Sequence, residues 1–349
     1  MMQFKYNILL DNILAYSPSS RGENDFIKLD WNECVIPLSE AEKEIVNKSI
    51  LDVDNIYYPN IKNNYLLELL SCYTGLPEDN LCFFNGSDSA LKHIFDCFVD
   101  HKTNVLLFNP DYTQVDVFAY HRTPRITKSN IFDIFGANKY DFNLIKHHDV
   151  LYLSYPNNPI GCLVDRSLIE YHVALHPDVL FIIDEAYYEY SESTCVELVK
   201  KHKNIIVTRT FSKAFPLTNA RFGYLCADKS IIGKINKIKN CKEVNGFSQS
   251  IATSVLKNIE LFSRRISTVK ENKKYFCNKL SRIGVSFPES FGNFIFLKHK
   301  NHNAILDKLK YKHGILVRSR SDLCPDSFRV TIGEKSHLDK VLQVIQNEN

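Results

Sequence analysis

Little in this sequence points toward a membrane, a nucleic acid or a disulfide scaffold. Its 43 Lys and Arg nearly balance 40 Asp and Glu, for a net charge of +3, so no strong field of one sign advertises a polyanionic or lipid partner. No stretch approaches the ~18 consecutive apolar residues of a membrane span. The short apolar run Ile8 to Leu10 is broken by Asp11 and Asn12, with no small-residue cleavage site behind it, so an untargeted protein is expected. The ten cysteines stand singly, without a Cys-x-x-Cys, which fits a reducing, cytoplasmic compartment. Also missing are a Gly-x-Ser-x-Gly elbow, a Walker loop and a Gly-x-Gly-x-x-Gly fingerprint, so hydrolase, nucleotidase and dinucleotide readings lack support. His172 and His176 have a chelating spacing, but no Glu follows His172 as in zinc proteases. A surface or satisfied pair is the simpler reading, and no metal is expected.

The 349 residues, 44% of them hydrophobic, can bury a large core, and their pattern alternates. Apolar runs at Leu81 to Phe84, Val105 to Phe108, Val150 to Ser154, Leu180 to Ile183, Ile205 to Val207 and Phe222 to Cys226 read as strands, with helical stretches among them. Strands alternating with helices predict an α/β fold with a mostly parallel central sheet covered by helices. Ser39 with Glu42 forms a capping box opening a helix to about Ser49, and Asn64 to Tyr73 repeats leucine at helical spacing. A basic helix is expected over Lys229 to Lys242 and a long one from Ser248 to Arg282. Strands at Phe26 to Trp31, Asn293 to Lys298, Ile315 to Arg318 and Phe328 to Ile332, with helices near Asn303 to His313 and Ser336 to Gln346, make a smaller α+β domain. The expected division is an N-terminal arm over 1–40 joining that domain, a large domain over 41–247 and a small one over 248–349.

Four of the large-domain strands end in polar loops: Asn109-Pro-Asp-Tyr112, Tyr155-Pro-Asn-Asn-Pro-Ile-Gly161, Asp184-Glu-Ala-Tyr187 and Thr210 to Lys213. Ligands of open α/β sheets bind beyond the carboxyl ends of the strands, so these loops can converge on one crevice. Lys213 is flanked by the hydroxyls of Thr210 and Ser212 and followed by Arg221. Nearby cations and partial desolvation would lower its pKa and free its amine for a Schiff base with an aldehyde cofactor, while the hydroxyls and guanidinium hold a phosphate. A solvated lysine beside a surface ion pair is the alternative. Asp184, at the mouth of a buried strand, needs a partner. A protonated pyridine nitrogen would serve; capping the next helix or binding a metal are the other options. Asn85-Gly86-Ser87-Asp88 turns a strand into a helix whose free N–H groups would attract an anion, although taken alone an ordinary Ser and Asp helix cap is the simpler reading.

In this order, Pro156-Asn-Asn-Pro-Ile-Gly161, Asp184-Glu-Ala-Tyr187, Arg209-Thr-Phe-Ser-Lys213 and Arg221 resemble the fold-type I pyridoxal-phosphate aminotransferases, within them most the histidinol-phosphate aminotransferase branch, from Tyr16 to Gly333. The resemblance implies pyridoxal 5'-phosphate as cofactor, Lys213 as its Schiff-base lysine and Asp184 as partner of the ring nitrogen. It implies that Asn158 and Tyr187 hydrogen-bond the phenolic oxygen and that Tyr112 stacks on the ring. Gly86, Ser87, Asp88, Thr210, Ser212 and Arg221 would form the phosphate cup, joined by Tyr58 from a neighbouring subunit of a homodimer. Arg329 would pair with a substrate carboxylate, with Tyr16, Asn32 and Arg318 nearby. The implied reaction is transamination between an amino donor, histidinol phosphate first among them, and 2-oxoglutarate. Another amine of the same branch or threonine-phosphate decarboxylation are alternatives, and a non-catalytic cofactor-binding protein is a third. Three segments depart from the family pattern: Asn32-Glu-Cys-Val35 for Asn-Glu-Asn-Pro, Ser89 for an acidic residue, and Pro216-Leu-Thr-Asn219 for small residues.

Overall fold

The computed structural model describes residues 7–13, 26–131, 140–215 and 217–348; Tyr16, expected near the substrate, lies outside the described residues. The strands are β1 (Ile27–Leu29), β2 (Leu81–Phe84), β3 (Val105–Asn109), β4 (Ile126–Asn130), β5 (Val150–Ser154), β6 (Leu180–Asp184), β7 (Ile205–Thr210), β8 (Gly223–Ala227), β9 (Phe294–Lys298), β10 (Ile315–Ser319) and β11 (Ser327–Thr331). The helices are α1 (Glu40–Leu51), α2 (Asn64–Thr74), α3 (Ser87–Phe98), α4 (Gln114–Arg122), α5 (Arg166–Leu175), α6 (Tyr188–Ser191), α7 (Lys229–Ile235), α8 (Gly246–Lys257), α9 (Ile259–Arg282), α10 (His302–His313) and α11 (Lys335–Gln346). Among the described residues no helix is long and apolar enough to cross a membrane.

β2 to β8 form a seven-stranded sheet in the order β2-β8-β7-β6-β5-β3-β4. It is mostly parallel, as the alternation predicts; β8 alone runs antiparallel to both its neighbours. Both faces are buried, so the strands read as continuous apolar runs. Leu106, Leu151, Leu153, Phe181, Ile183 and Val207 pack on one side with α2, α5 and α8. Leu107, Val150, Tyr152, Ile182 and Ile206 pack on the other with α3, α4 and α7. Truncating one of the fully buried phenylalanines, such as Phe181 at 1% exposure, would cost ~3–5 kcal/mol in lost transfer energy and cavity formation.

A second sheet of order β1-β10-β11-β9 carries the smaller domain, and β1, from the N-terminal segment, pairs parallel to β10 within it. The capping box at α1 is present, Ser39 accepting from the Glu42 N–H while Glu42 accepts from Ser39. The Glu42 carboxylate also meets Arg265 of α9 at 2.5 Å, fastening α1 to that helix.

Several boundaries differ from the sequence expectation. The basic helix stops at Ile235, where Asn236 caps it, rather than running to Lys242. The long helix is two, broken at Asn258, whose φ/ψ of −119° and 33° leave the helical region. β7 continues to Thr210, which places that hydroxyl inside a strand. β4, whose residues Ile126 to Asn130 are mostly solvent-facing, carries too little apolar pattern to mark it as a strand.

Candidate active site

A cavity of about 730 Å³ lies where the carboxyl ends of β5, β6 and β7 face the smaller sheet, a volume typical of small-molecule sites. Its lining brings together Ser87, Asp88, Tyr112, Asn158, Asp184, Tyr187, Thr210, Ser212, Lys213, Arg221, Asn32, Arg318 and Arg329, nearly all of the residues the sequence singles out. Gly86 borders it through Arg221. Tyr58 does not line it: its side chain is 76% exposed, with the Lys242 amine 3.6 Å from its ring centre.

One end of the cavity is built for an anion. No side chain caps the start of α3, so its first N–H groups are available and the helix dipole adds to their pull. The Arg221 guanidinium hydrogen-bonds the Ser212 hydroxyl at 3.3 Å and meets the Asp88 carboxylate at 3.5 Å. Arg221 holds φ at +48°, a region that L side chains rarely occupy. Gly86 is required here: at φ +84°, a Cβ on it would stand 2.6 Å from the Arg221 guanidinium. Ser212 is buried, and its N–H donates to the Thr210 hydroxyl at 3.2 Å; Thr210 is 4% exposed. The Asp88 carboxylate accepts from the Tyr112 hydroxyl at 2.8 Å, so at this site Asp88 orients Tyr112 and Arg221 and offers an anion only its backbone N–H.

Asp184 sits on the cavity floor, 4% exposed, accepting from Thr208 at 2.9 Å and Tyr152 at 3.0 Å. Burial raises its pKa to about 6 against the lowering of those two hydrogen bonds, the condition of a carboxylate that an added cation would stabilise. Asp111, outside the expected set, is a second buried carboxylate there. Burial lifts it to about 7, with the Ser154 hydrogen bond opposing; it accepts from the Ser154 hydroxyl, which in turn accepts from the Asn158 N–H at 3.1 Å.

Lys213 lines the same cavity. Its amine donates to the Trp31 carbonyl at 3.0 Å, and burial, then the nearby Arg329 charge, lower its pKa to about 8. The side facing the smaller sheet is cationic. Arg329, 7% exposed, donates to Asn158 Oδ1 at 2.6 Å and to the Asp30 carbonyl at 2.7 Å, with its pKa brought down to about 10 by burial and by neighbouring arginines. Asn32 donates to the Tyr187 hydroxyl at 2.9 Å. Arg320, which the sequence reading passes over, lines the cavity too.

The cofactor implied by the sequence fits these residues: an anion cradle whose Arg221 guanidinium a Cβ on Gly86 would crowd, a buried carboxylate suited to a cation, and a lysine of lowered pKa in one cavity. A fold-type I, lysine-centred enzyme of this architecture has a family: residues 23–345 match the model of aminotransferase class I and II, so the chain belongs to the class I and II aminotransferases. It is 32% identical over 336 residues to a dihydroxyacetone phosphate transaminase of Campylobacter jejuni, covering 93% of this chain and 90% of that protein. It is 29% identical over 338 residues to a histidinol-phosphate aminotransferase of Clostridium novyi, covering 95% and 94%. The histidinol-phosphate aminotransferase of Sinorhizobium meliloti, solved in complex with pyridoxal 5'-phosphate, superposes with a TM-score of 0.85 over 98% of both chains at 20% identity, a likeness of fold.

The first helical turn of α3 holds a compensation that no local motif marks. Glu243 accepts from the Ser89 hydroxyl and from the Asn85 N–H at 3.2 Å. The carboxylate that Ser89 lacks is thus supplied from 154 positions away, tying the anion cradle to the segment before α8.

Proposed function

We propose that this aminotransferase moves an amino group between a phosphorylated amine, histidinol phosphate first among the candidates, and 2-oxoglutarate, with pyridoxal 5'-phosphate held in the cavity. The observation that carries the reading is that Lys213, its amine at a pKa of about 8, shares one cavity with the buried Asp184 and with Arg329. Pyridoxal phosphate supplies an aldehyde that condenses with amines and a ring that takes up charge when the substrate carbon loses its proton.

The chain supplies the rest. The N–H groups of α3, Ser87, Ser212 and Arg221 would grip the phosphate. Asp184 would answer a protonated ring nitrogen, and that cation would bring its pKa back down. Asn158 keeps its amide NH₂ for a hydrogen bond, since its Oδ1 already accepts from Arg329; the Tyr187 hydroxyl, accepting from Asn32, keeps its proton to donate. These two would orient the ring oxygen. Lys213, with a pKa close to working pH, can accept the proton from the substrate carbon and return it on the other side of the transfer. Arg329 would pair with the carboxylate of the oxo acid through the planar fork that lysine lacks.

The Campylobacter relative supports a second reading, in which the amino acceptor is a phosphorylated ketone. Both readings put a phosphate ester in the same cavity. We further infer a homodimer in which Tyr58 serves the neighbouring chain's site: it stands in an exposed apolar strip with Ile56 at 84%, Tyr57 at 76%, Ile61 at 50% and Tyr65 at 49% exposure, a surface suited to burial against a second copy.

The test is a product assay of the holoenzyme with histidinol phosphate, histidinol, glutamate, aromatic amino acids and, with glutamate as donor, dihydroxyacetone phosphate. Preference for a phosphorylated substrate over its unphosphorylated analogue supports the proposal; equal turnover of the two overturns it.

A further inference from the structure

The segment that turns β2 into α3 is held from two sides. On one side it lies against β8: a Cβ on Gly223 would stand 2.5 Å from the Ser87 nitrogen and 2.6 Å from the Gly86 carbonyl carbon, so backbone meets backbone there and only glycine fits. On the other side stands Glu243. Its Oε1 accepts from the Asn85 N–H at 3.2 Å and from the Ser89 hydroxyl. One carboxylate oxygen thus joins both ends of the segment 85–89, whose middle, Gly86 to Asp88, makes the anion cradle. Its Oε2 faces His93 Nε2 at 3.7 Å, and His93 Nδ1 lies 2.8 Å from the Ser89 carbonyl oxygen.

Glu243 is itself fixed. Its side chain is 11% exposed, its N–H donates to the Asn240 carbonyl at 3.1 Å, and the next residue, Val244, is buried. The Val244 carbonyl accepts from the Gln249 amide at 2.9 Å, and Gln249 accepts from Asn63 at 2.8 Å. Ser248 donates to the Ala220 carbonyl, one residue before Arg221. The segment 243–249 therefore holds both halves of the cradle, the α3 turn through Glu243 and the Arg221 turn through Ser248. Ser87 and Asp88 line the cavity, whereas Glu243, Asn85 and Ser89 stand behind that wall. A carboxylate near an anion site opposes the anion by its charge, so what Glu243 contributes there is geometric: it satisfies two donors whose loss would free the turn to shift.

We propose that Glu243 is a positioning residue for the cofactor's phosphate: by fixing Asn85 and Ser89 it holds the N–H groups of Ser87 and Asp88 in the cradle. The role rests on the placement of that phosphate at the start of α3 proposed above.

The test titrates the full-length chain, freed of cofactor, with pyridoxal 5'-phosphate and separately with pyridoxal, which brings the same aldehyde to Lys213 without the phosphate. Schiff-base absorbance reports binding of each. The ratio of the two dissociation constants isolates the grip on the phosphate, because a general loss of structure weakens both ligands alike. In Glu243→Ala, affinity for pyridoxal phosphate should fall about tenfold, the scale of one lost hydrogen bond to a charged group, with pyridoxal unchanged. Glu243→Gln, which keeps the accepting oxygen and drops the charge, should bind pyridoxal phosphate at least as tightly as the parent. Ser89→Ala, which removes one of the two bonds, should fall between the parent and Glu243→Ala. Arg221→Gln is the control for the cradle and should collapse the ratio. A Glu243→Ala protein that keeps the parent ratio, whether both affinities hold or both fall, overturns the role of Glu243 while a collapsed ratio in Arg221→Gln keeps the phosphate in the cradle. An Arg221→Gln protein that keeps the parent ratio overturns the placement of the phosphate itself.

Discussion

Arg329 donates to Asn158 Oδ1 at 2.6 Å across 171 positions of sequence, joining a β11 side chain to the loop after β5 and so linking the smaller sheet to the larger. The contact couples the group expected to hold the substrate carboxylate to the one expected to hold the cofactor's ring oxygen. Asn158→Ala and Arg329→Lys should therefore not be additive. A double-mutant cycle on kcat/KM for the oxo acid should give an interaction of ~0.5–3 kcal/mol, and additivity would show that the contact carries no functional coupling.

The Lys213 pKa of about 8, below its ordinary 10.5, makes a pH prediction. Burial and Arg329 disfavour the charged amine, so the neutral, reactive form is populated above about pH 8 in the folded protein. Stability from this lysine runs the same way: with its folded pKa depressed to about 8 from 10.5, the folded protein bears the full penalty of the charged amine below about pH 8, and the penalty fades as pH rises from there toward 10.5. The rate at which cofactor-free protein recombines with pyridoxal phosphate should climb with a midpoint near pH 8. A midpoint close to the ordinary lysine value would mean that the site does not tune the amine. Arg329→Gln removes a cation beside Lys213 and should move the midpoint upward.

If Tyr58 serves the neighbouring chain, activity should be restored by mixing two defective chains. Lys213→Ala chains retain Tyr58 and Tyr58→Phe chains retain Lys213, so each hybrid dimer holds one intact site. Random reassociation should recover about a quarter of the parent's sites. Activity that merely averages the two separate variants, or a fully active monomer in sedimentation, would contradict the shared site.

What the sequence makes legible, and what it does not, follows from how local each signal is. Lys213, Asp184, Asn158 and Tyr112 fall at the ends of apolar runs, and the rule that ligands bind beyond strand carboxyl ends brings their loops together before any geometry is known. β4 is hidden because it lies at the end of the sheet and is paired only to β3, so it needs no apolar face on the solvent side. Arg320 is hidden because its place in the cavity lining depends on the register that sets Arg318 opposite Arg329, which pattern does not encode. Asp111 carries no signal beyond being an acidic residue in a turn; only its burial and its bond to Ser154 show that it organises the loop bearing Asn158. The Ser89 and Glu243 pair is a long-range substitution for one local residue, visible only once the chain is folded.

The chemistry turns on one amine, that of Lys213. Holoenzyme treated with borohydride, digested and mapped should carry the reduced cofactor on the peptide containing Lys213, and Lys213→Ala protein should retain bound cofactor without covalent label after the same treatment, since Ser87, Ser212, Arg221 and Asp184 remain. Label on Lys28, on Lys242 or on any lysine other than Lys213 would contradict the assignment of the site.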